Sequence, residues 1–139
     1  MSGSLVDWSC VTAGQCGAIV EYIMAVPEMP DDPGIQFKVR LCSEEAVANV
    51  VDYAYGDGDG FLEVTTDMAD GSFIITLKDA GMPFDPLQNP DPDITLSADE
   101  RKIGGLGIFL CKQMMDEVHY VYCDGCNVLT MKININIQL

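Results

Sequence analysis

Apolar positions first gather in a short stretch, Leu5, Val6, Trp8, Cys10 and Val11, within Met1 to Thr12. The alternation there is poor, and the stretch predicts a first strand. From Ala13 to Val26 the period changes. Cys16, Ile19, Val20, Ile23 and Met24 recur at helical spacing, and Pro27, Pro30 and Pro33 close the helix they predict. A second helix is expected from about Ile35 to Tyr55, stopped by the glycine and aspartate cluster Gly56 to Gly60. Val47, Val50, Val51 and Ala54 fall on one of its faces.

The pattern then turns to period two. Phe61 to Asp67 and Ser72 to Lys78 predict a hairpin turned around Asp70-Gly71. In its second strand Phe73, Ile75 and Leu77 alternate with Ile74, Thr76 and Lys78, so that strand should be largely buried. Met82 to Ile103 shows no period and carries Pro83, Pro86, Pro90 and Pro92 among acidic residues. Connections this long inside a domain are usually lids or binding loops, and a lid over a ligand is the expectation. Gly104, Gly105 and Gly107 precede an apolar run at helical spacing through Ile108, Cys111, Met114 and Met115. Two strands follow, Val118 to Cys123 and Asn127 to Leu139, turned at Asp124-Gly125. Leu129, Met131, Ile133 and Ile135 alternate with Thr130, Lys132 and Asn134, which gives the last strand one buried face.

Composition narrows the function. The chain has 139 residues, 48% of them hydrophobic, enough for one domain over residues 1–139 with its own core. No apolar run nears the roughly 20 residues of a membrane span, and no basic region precedes a long apolar stretch at the N-terminus. The expectation is a cytoplasmic protein. Seven basic residues against 22 acidic ones leave a formal charge of −15. That excludes direct nucleic-acid or anionic-membrane binding and favours partners with basic patches. Among six cysteines, Cys123-Asp-Gly-Cys126 is the only C-x-x-C, and the sole histidine is His119. Two thiolates at a hairpin turn do not complete a zinc site, and reduced thiols are expected.

Candidate chemistry sits at three places. Glu45 and Asn49 lie one helical turn apart and project together, either as a solvated polar face or as a working pair. As a pair, Asn49 offers a carbonyl oxygen to Mg²⁺, which keeps waters and phosphate oxygens as its other ligands. Glu45 could then accept a proton from an attacking hydroxyl. Asp79-Ala80-Gly81 follows a buried strand; the carboxylate is an acceptor suited to an adenine amine, or is simply a turn residue. Glycines before a helix permit positive φ and close backbone approach, and the helix start favours phosphate.

Taken in order, Glu45-Ala-Val-Ala-Asn49, then Asp79-Ala-Gly81-Met-Pro83-Phe84-Asp85-Pro86, then Gly104-Gly105-Leu106-Gly107-Ile108-Phe109-Leu110 resembles the N, G1 and G2 boxes of the GHKL ATPase superfamily. Within it the chain looks most like bacterial anti-sigma factor serine kinases. The resemblance covers roughly Phe37 to Lys132. It implies a two-layer α/β (α+β) sandwich, a mixed, mostly antiparallel sheet with helices on one face. It implies ATP and Mg²⁺ as cofactors, with Glu45 as catalytic base, Asn49 as Mg²⁺ ligand and Asp79 on adenine. Gly81, Gly104, Gly105, Leu106 and Gly107 would shape the nucleotide pocket, Arg101 or Lys102 would neutralise phosphate charge, and Thr130 would line the adenine side.

Such kinases hold a sigma factor inactive, phosphorylate a serine or threonine of a small STAS-like antagonist protein, and commonly form a homodimer. The histidine usual after the N-box asparagine is replaced here by Asp52-Tyr53-Ala54-Tyr55. A histidine kinase is excluded by the lack of a helical hairpin bearing a phosphoacceptor histidine. A non-catalytic, nucleotide-gated binding module is the alternative. Glu45 weighs against it, because a pure switch needs no base.

Overall fold

A computed structural model describes residues 3–8, 16–50, 61–81 and 105–135. Strand β1 (Gly3–Trp8) is followed by helices α1 (Cys16–Met24) and α2 (Pro33–Asn49). Strands β2 (Leu62–Ala69) and β3 (Ser72–Asp79) follow, then helix α3 (Gly105–Met114) and strands β4 (Glu117–Cys123) and β5 (Cys126–Asn134). The expected lid from Met82 to Ile103, the stretch from Val51 through Gly60 and the last four residues lie outside the described residues.

Pro33 begins α2 rather than closing α1. Its missing N–H costs nothing at a first helical position. Asp32 caps the helix in extended conformation, its Oδ1 accepting from the Gly34 and Ile35 amides at 2.9 and 3.1 Å. The apolar period alone starts the helix at Ile35, because a cap is polar. Asp32→Ala should destabilise the protein by about 0.5–2 kcal/mol. Chemical denaturation reads this directly, and an unchanged midpoint would mean the cap contributes nothing.

Both Asp-Gly turns fall where expected. Asp70 and Gly71 have φ of 54° and 76°, and Asp124 and Gly125 have 53° and 77°. Positive φ at both loop residues defines a turn whose twist matches the strands it joins. The turns fix the registers Ala69↔Ser72 and Cys123↔Cys126.

The sheet order is β1-β2-β3-β5-β4, with every pairing among the described strands antiparallel. From β3 the chain passes over β5 to reach β4, then returns by the tight turn to fill the gap. Helix α3 lies within that crossover. Side chains alternate across the strands. Leu62, Val64 and Thr66 of β2 are buried, with Phe73, Ile75, Leu77 and Asp79 of β3 and Asn127, Leu129, Met131 and Ile133 of β5. They form one face. Ile19, Ile23, Val39, Cys42, Ala46, Val47, Cys111 and Met115 from the helices complete the same core. This is the α+β sandwich that the sequence implied.

Candidate functional site

Asp79 closes β3 on the helix-covered face, 4% exposed. Its Oδ1 accepts from the Gly81 amide at 2.9 Å, a local turn bond. The same oxygen accepts from Asn127 Nδ2 at 2.9 Å across the β3–β5 pairing. Burial raises the Asp79 pKa above the usual carboxylate range, and the Asn127 and Gly81 donors oppose that rise. Among the described residues both bonds to this carboxylate fall on Oδ1, which leaves Oδ2 to meet an incoming donor. Asn127 is itself 5% exposed, and its Oδ1 accepts from the Tyr120 hydroxyl of β4.

Neither Asn127 nor Tyr120 stands out in the sequence. An asparagine after Asp-Gly-Cys reads as part of a turn, and a tyrosine in a strand reads as packing. Only the register, which sets Asp79 opposite Asn127, reveals them. The same register moves Thr130 elsewhere. It pairs with Thr76 and His119, and it alternates with buried Leu129 and Met131. Thr130 therefore lies on the sheet face opposite Asp79, and Asn127 lies on the same face as Asp79. Their separation of three steps, an odd number, decides this, since a strand changes face at every step.

Helix α2 carries Glu45 and Asn49. Asn49 is buried, 8% exposed. Glu45 is half-buried, and burial first, then the neighbouring Glu44 carboxylate, raises its pKa. One turn earlier Cys42 meets α3. The Cys111 thiol donates to the Cys42 carbonyl at 3.8 Å, and both cysteines are buried and reduced. The Cys111 thiol lowers the Cys42 pKa, while its own is pushed well up, first by Cys42 and then by burial. The Glu45 charge opposes the lowering at Cys42 and adds to the rise at Cys111. Ser43, fully buried on the same helix, has a hydroxyl that makes no hydrogen bond among the described residues.

The glycines behave differently from expectation. Gly105 and Gly107 lie in the first turn of α3 rather than in a loop before it. Among the described glycines, positive φ occurs at Gly71 and Gly125. A helical backbone makes no use of conformational freedom at Gly105 and Gly107, so what they supply is the lack of a side chain near the helix start. Leu106 sits between them; Gly104, Arg101 and Lys102 lie outside the described residues.

No group of three or more histidine, cysteine, aspartate or glutamate side chains among the described residues could hold a metal ion. Asn49 offers a single hard oxygen. That suits Mg²⁺ arriving with a nucleotide, since Mg²⁺ takes few protein ligands and keeps phosphate oxygens and waters. No helix among the described residues is long and apolar enough to cross a membrane.

The arrangement joins a carboxylate on the N-box helix, a helix with glycines in its first turn and a buried aspartate at a strand end. It is matched by a known family. The histidine kinase-like ATPase domain matches residues 14–133. The chain belongs to this family. Within the histidine kinase-like ATPases, the serine/threonine-protein kinase BtrW of Bordetella bronchiseptica is 30% identical over 98 residues, covering 70% of this chain and 69% of that protein. The serine-protein kinase RsbW of Listeria monocytogenes is 31% identical over 99 residues, covering 68% and 63%. RsbW of Bacillus cereus is 26% identical over 98 residues, covering 68% and 61%. The match thus spans about two thirds of the length of these relatives. As a histidine kinase-like ATPase domain, the chain uses ATP.

Proposed function

We propose that this chain is an ATP- and Mg²⁺-dependent protein serine/threonine kinase that acts as an anti-sigma factor. It holds a sigma factor inactive and transfers the γ-phosphoryl group to a serine or threonine of a STAS-like antagonist, in the cytoplasm and as a homodimer. The names of the curated relatives support the kinase reading. The observation that carries the nucleotide site is the Asp79 carboxylate, buried at the end of β3 with two donors on one oxygen. Its second oxygen suits the exocyclic amine of adenine, and guanine presents a carbonyl at that position.

Phosphoryl transfer to a hydroxyl requires in-line positioning, charge neutralisation and a proton acceptor. Mg²⁺, held by the Asn49 carbonyl oxygen, would supply charge neutralisation between the phosphates. Glu45 accepts the proton of the attacking hydroxyl, and its raised pKa makes it a stronger base than an exposed glutamate. The first turn of α3, bare of side chains at Gly105 and Gly107, lets phosphate oxygens approach backbone amides, aided by Arg101 or Lys102. Gly81 holds the Asp79 rotamer, and Gly104 and Leu106 frame the nucleotide.

The reading is tested on Asp79→Asn. Asparagine keeps an acceptor for Asn127 and Gly81 but turns the second oxygen into a donor. ATP affinity should fall by about 1.5–3 kcal/mol, the cost of a charged hydrogen bond, while GTP affinity should rise or hold, because the new amide donor can meet the guanine carbonyl. Stability without nucleotide should not fall. A carboxylate with a raised folded pKa stabilises fully below its unfolded pKa and loses that contribution as pH rises through the folded value. At neutral pH the buried charge is therefore a cost that asparagine removes. Calorimetric titration and thermal melts read both effects; equal wild-type affinity for ATP and GTP would remove Asp79 from the base site.

A further inference from the structure

The relay behind Asp79 runs across three strands. The Tyr120 hydroxyl of β4 donates to Asn127 Oδ1 of β5, and Asn127 Nδ2 donates to Asp79 Oδ1 of β3 at 2.9 Å. An amide side chain has one accepting end and one donating end. Once a hydroxyl occupies the accepting end, the donating end must face the carboxylate. A phenol gives its proton readily and, at neutral pH, is not ionised. Tyr120 thereby fixes which way the Asn127 amide lies. Without it, the amide could turn its oxygen toward Asp79, which would repel the carboxylate and favour its protonated form.

Tyr120 and Asn127 are placed for this by the β4–β5 hairpin. Tyr120 pairs with Leu129, and Asn127 lies two residues further along β5 on the same face. A tyrosine is long enough to reach that diagonal neighbour. Tyr120 is half-buried against the core, which holds its ring in one place.

We infer that Tyr120 is a positioning residue for nucleobase selectivity: acting through Asn127, it orients the Asp79 carboxylate so that one oxygen is held and the other is presented to an adenine amine. The inference rests on the reading of Asp79 as the adenine contact and gives a role to two residues outside the N, G1 and G2 boxes. It also accounts for a buried asparagine at the start of β5, where an apolar residue would pack without needing two partners.

The pH dependence of binding separates positioning from packing. Burial drives the Asp79 pKa up, and Asn127 is the larger of the two hydrogen bonds that hold it down. The other described titratable groups on that face are Tyr120 and Tyr122 of β4, two strands away, the buried Cys42 and Cys111 of the helices packed over it, and Glu28, which accepts from the Thr66 hydroxyl of β2. Glu63 of β2 and Lys78 of β3 lie in register on the outer face. Removing the relay should therefore raise the pH below which ATP is lost, because adenine needs the carboxylate ionised.

The test is calorimetric titration of ATP and GTP into the wild-type chain, Tyr120→Phe, Asn127→Leu and the double variant, across a range of pH. Tyr120→Phe removes one oxygen and keeps the ring. It should weaken ATP about three- to tenfold with GTP unchanged, and move the acid limb of ATP binding up by about half a pH unit or more. Asn127→Leu should shift that limb at least as far. In the double variant the loss of the hydroxyl should add little further to the shift of the acid limb, because the effect on Asp79 runs through Asn127. Should Tyr120→Phe not fold, the Asn127→Leu acid limb decides. Wild-type ATP affinity and acid limb in a folded Tyr120→Phe, or a wild-type limb in Asn127→Leu, would overturn the inference while Asp79 keeps its role. A wild-type protein indifferent to ATP and GTP would instead remove the reading of Asp79 on which the inference stands.

Discussion

Glu45→Gln should slow phosphoryl transfer to the antagonist by about 10²- to 10⁴-fold, the usual cost of losing a general base, while ATP still binds. Glutamine keeps the size and the hydrogen-bonding capacity of the side chain but cannot take a proton. Burial and Glu44 raise the Glu45 pKa, so the wild-type rate should fall on acidification above the range of an ordinary exposed carboxylate. The glutamine variant should lack that acid limb. Mass spectrometry of the antagonist after incubation with ATP measures the transfer. A wild-type chain that binds its antagonist and ATP yet transfers nothing would leave the nucleotide-gated binding module as the function. A Glu45→Gln chain that also loses ATP would make Glu45 a binding residue.

The second large effect is on stability. Phe73→Ala should cost about 3–5 kcal/mol, the range for deleting a buried aromatic side chain. Phe73 is among the largest fully buried side chains, at 0% exposure. It sits in β3 between Met68 of β2 and Ile133 of β5, so the cavity opens in the middle of the sheet's inner face. Urea denaturation should show a lower midpoint with an unchanged slope. A loss of less than about 1 kcal/mol would mean that the core closes over the gap.

Local chemistry made much of this molecule legible in its sequence. Both Asp-Gly turns demanded positive φ, and each fixed a hairpin register to the residue. The spacing of Glu45 and Asn49 put them on one side of α2 wherever the helix ended. Long-range placement was less legible. The depth of Asn49 depends on what packs against α2, which no helical period reports. Thr130 and Asn127 lie three residues apart, and choosing between them needs the parity of a strand pairing with a partner 48 residues away in the case of Asp79. Asp32 was hidden because Pro33 serves equally well to end one helix or to begin the next.

The chain order of the sheet also bears on when the molecule becomes competent during synthesis. The β2–β3 and β4–β5 hairpins are local and can each form within microseconds. Pairing β3 with β5 is slower, because it closes the long segment between them. That same docking step brings Asn127 against Asp79. A nascent chain emerging from the ribosome N-terminus first would already expose the N-box helix and the G1 aspartate. It would still lack the Asn127 donor on Asp79 until β5 had been made and had paired with β3. On the proposed reading of Asp79, adenine recognition is coupled to completion of the sheet.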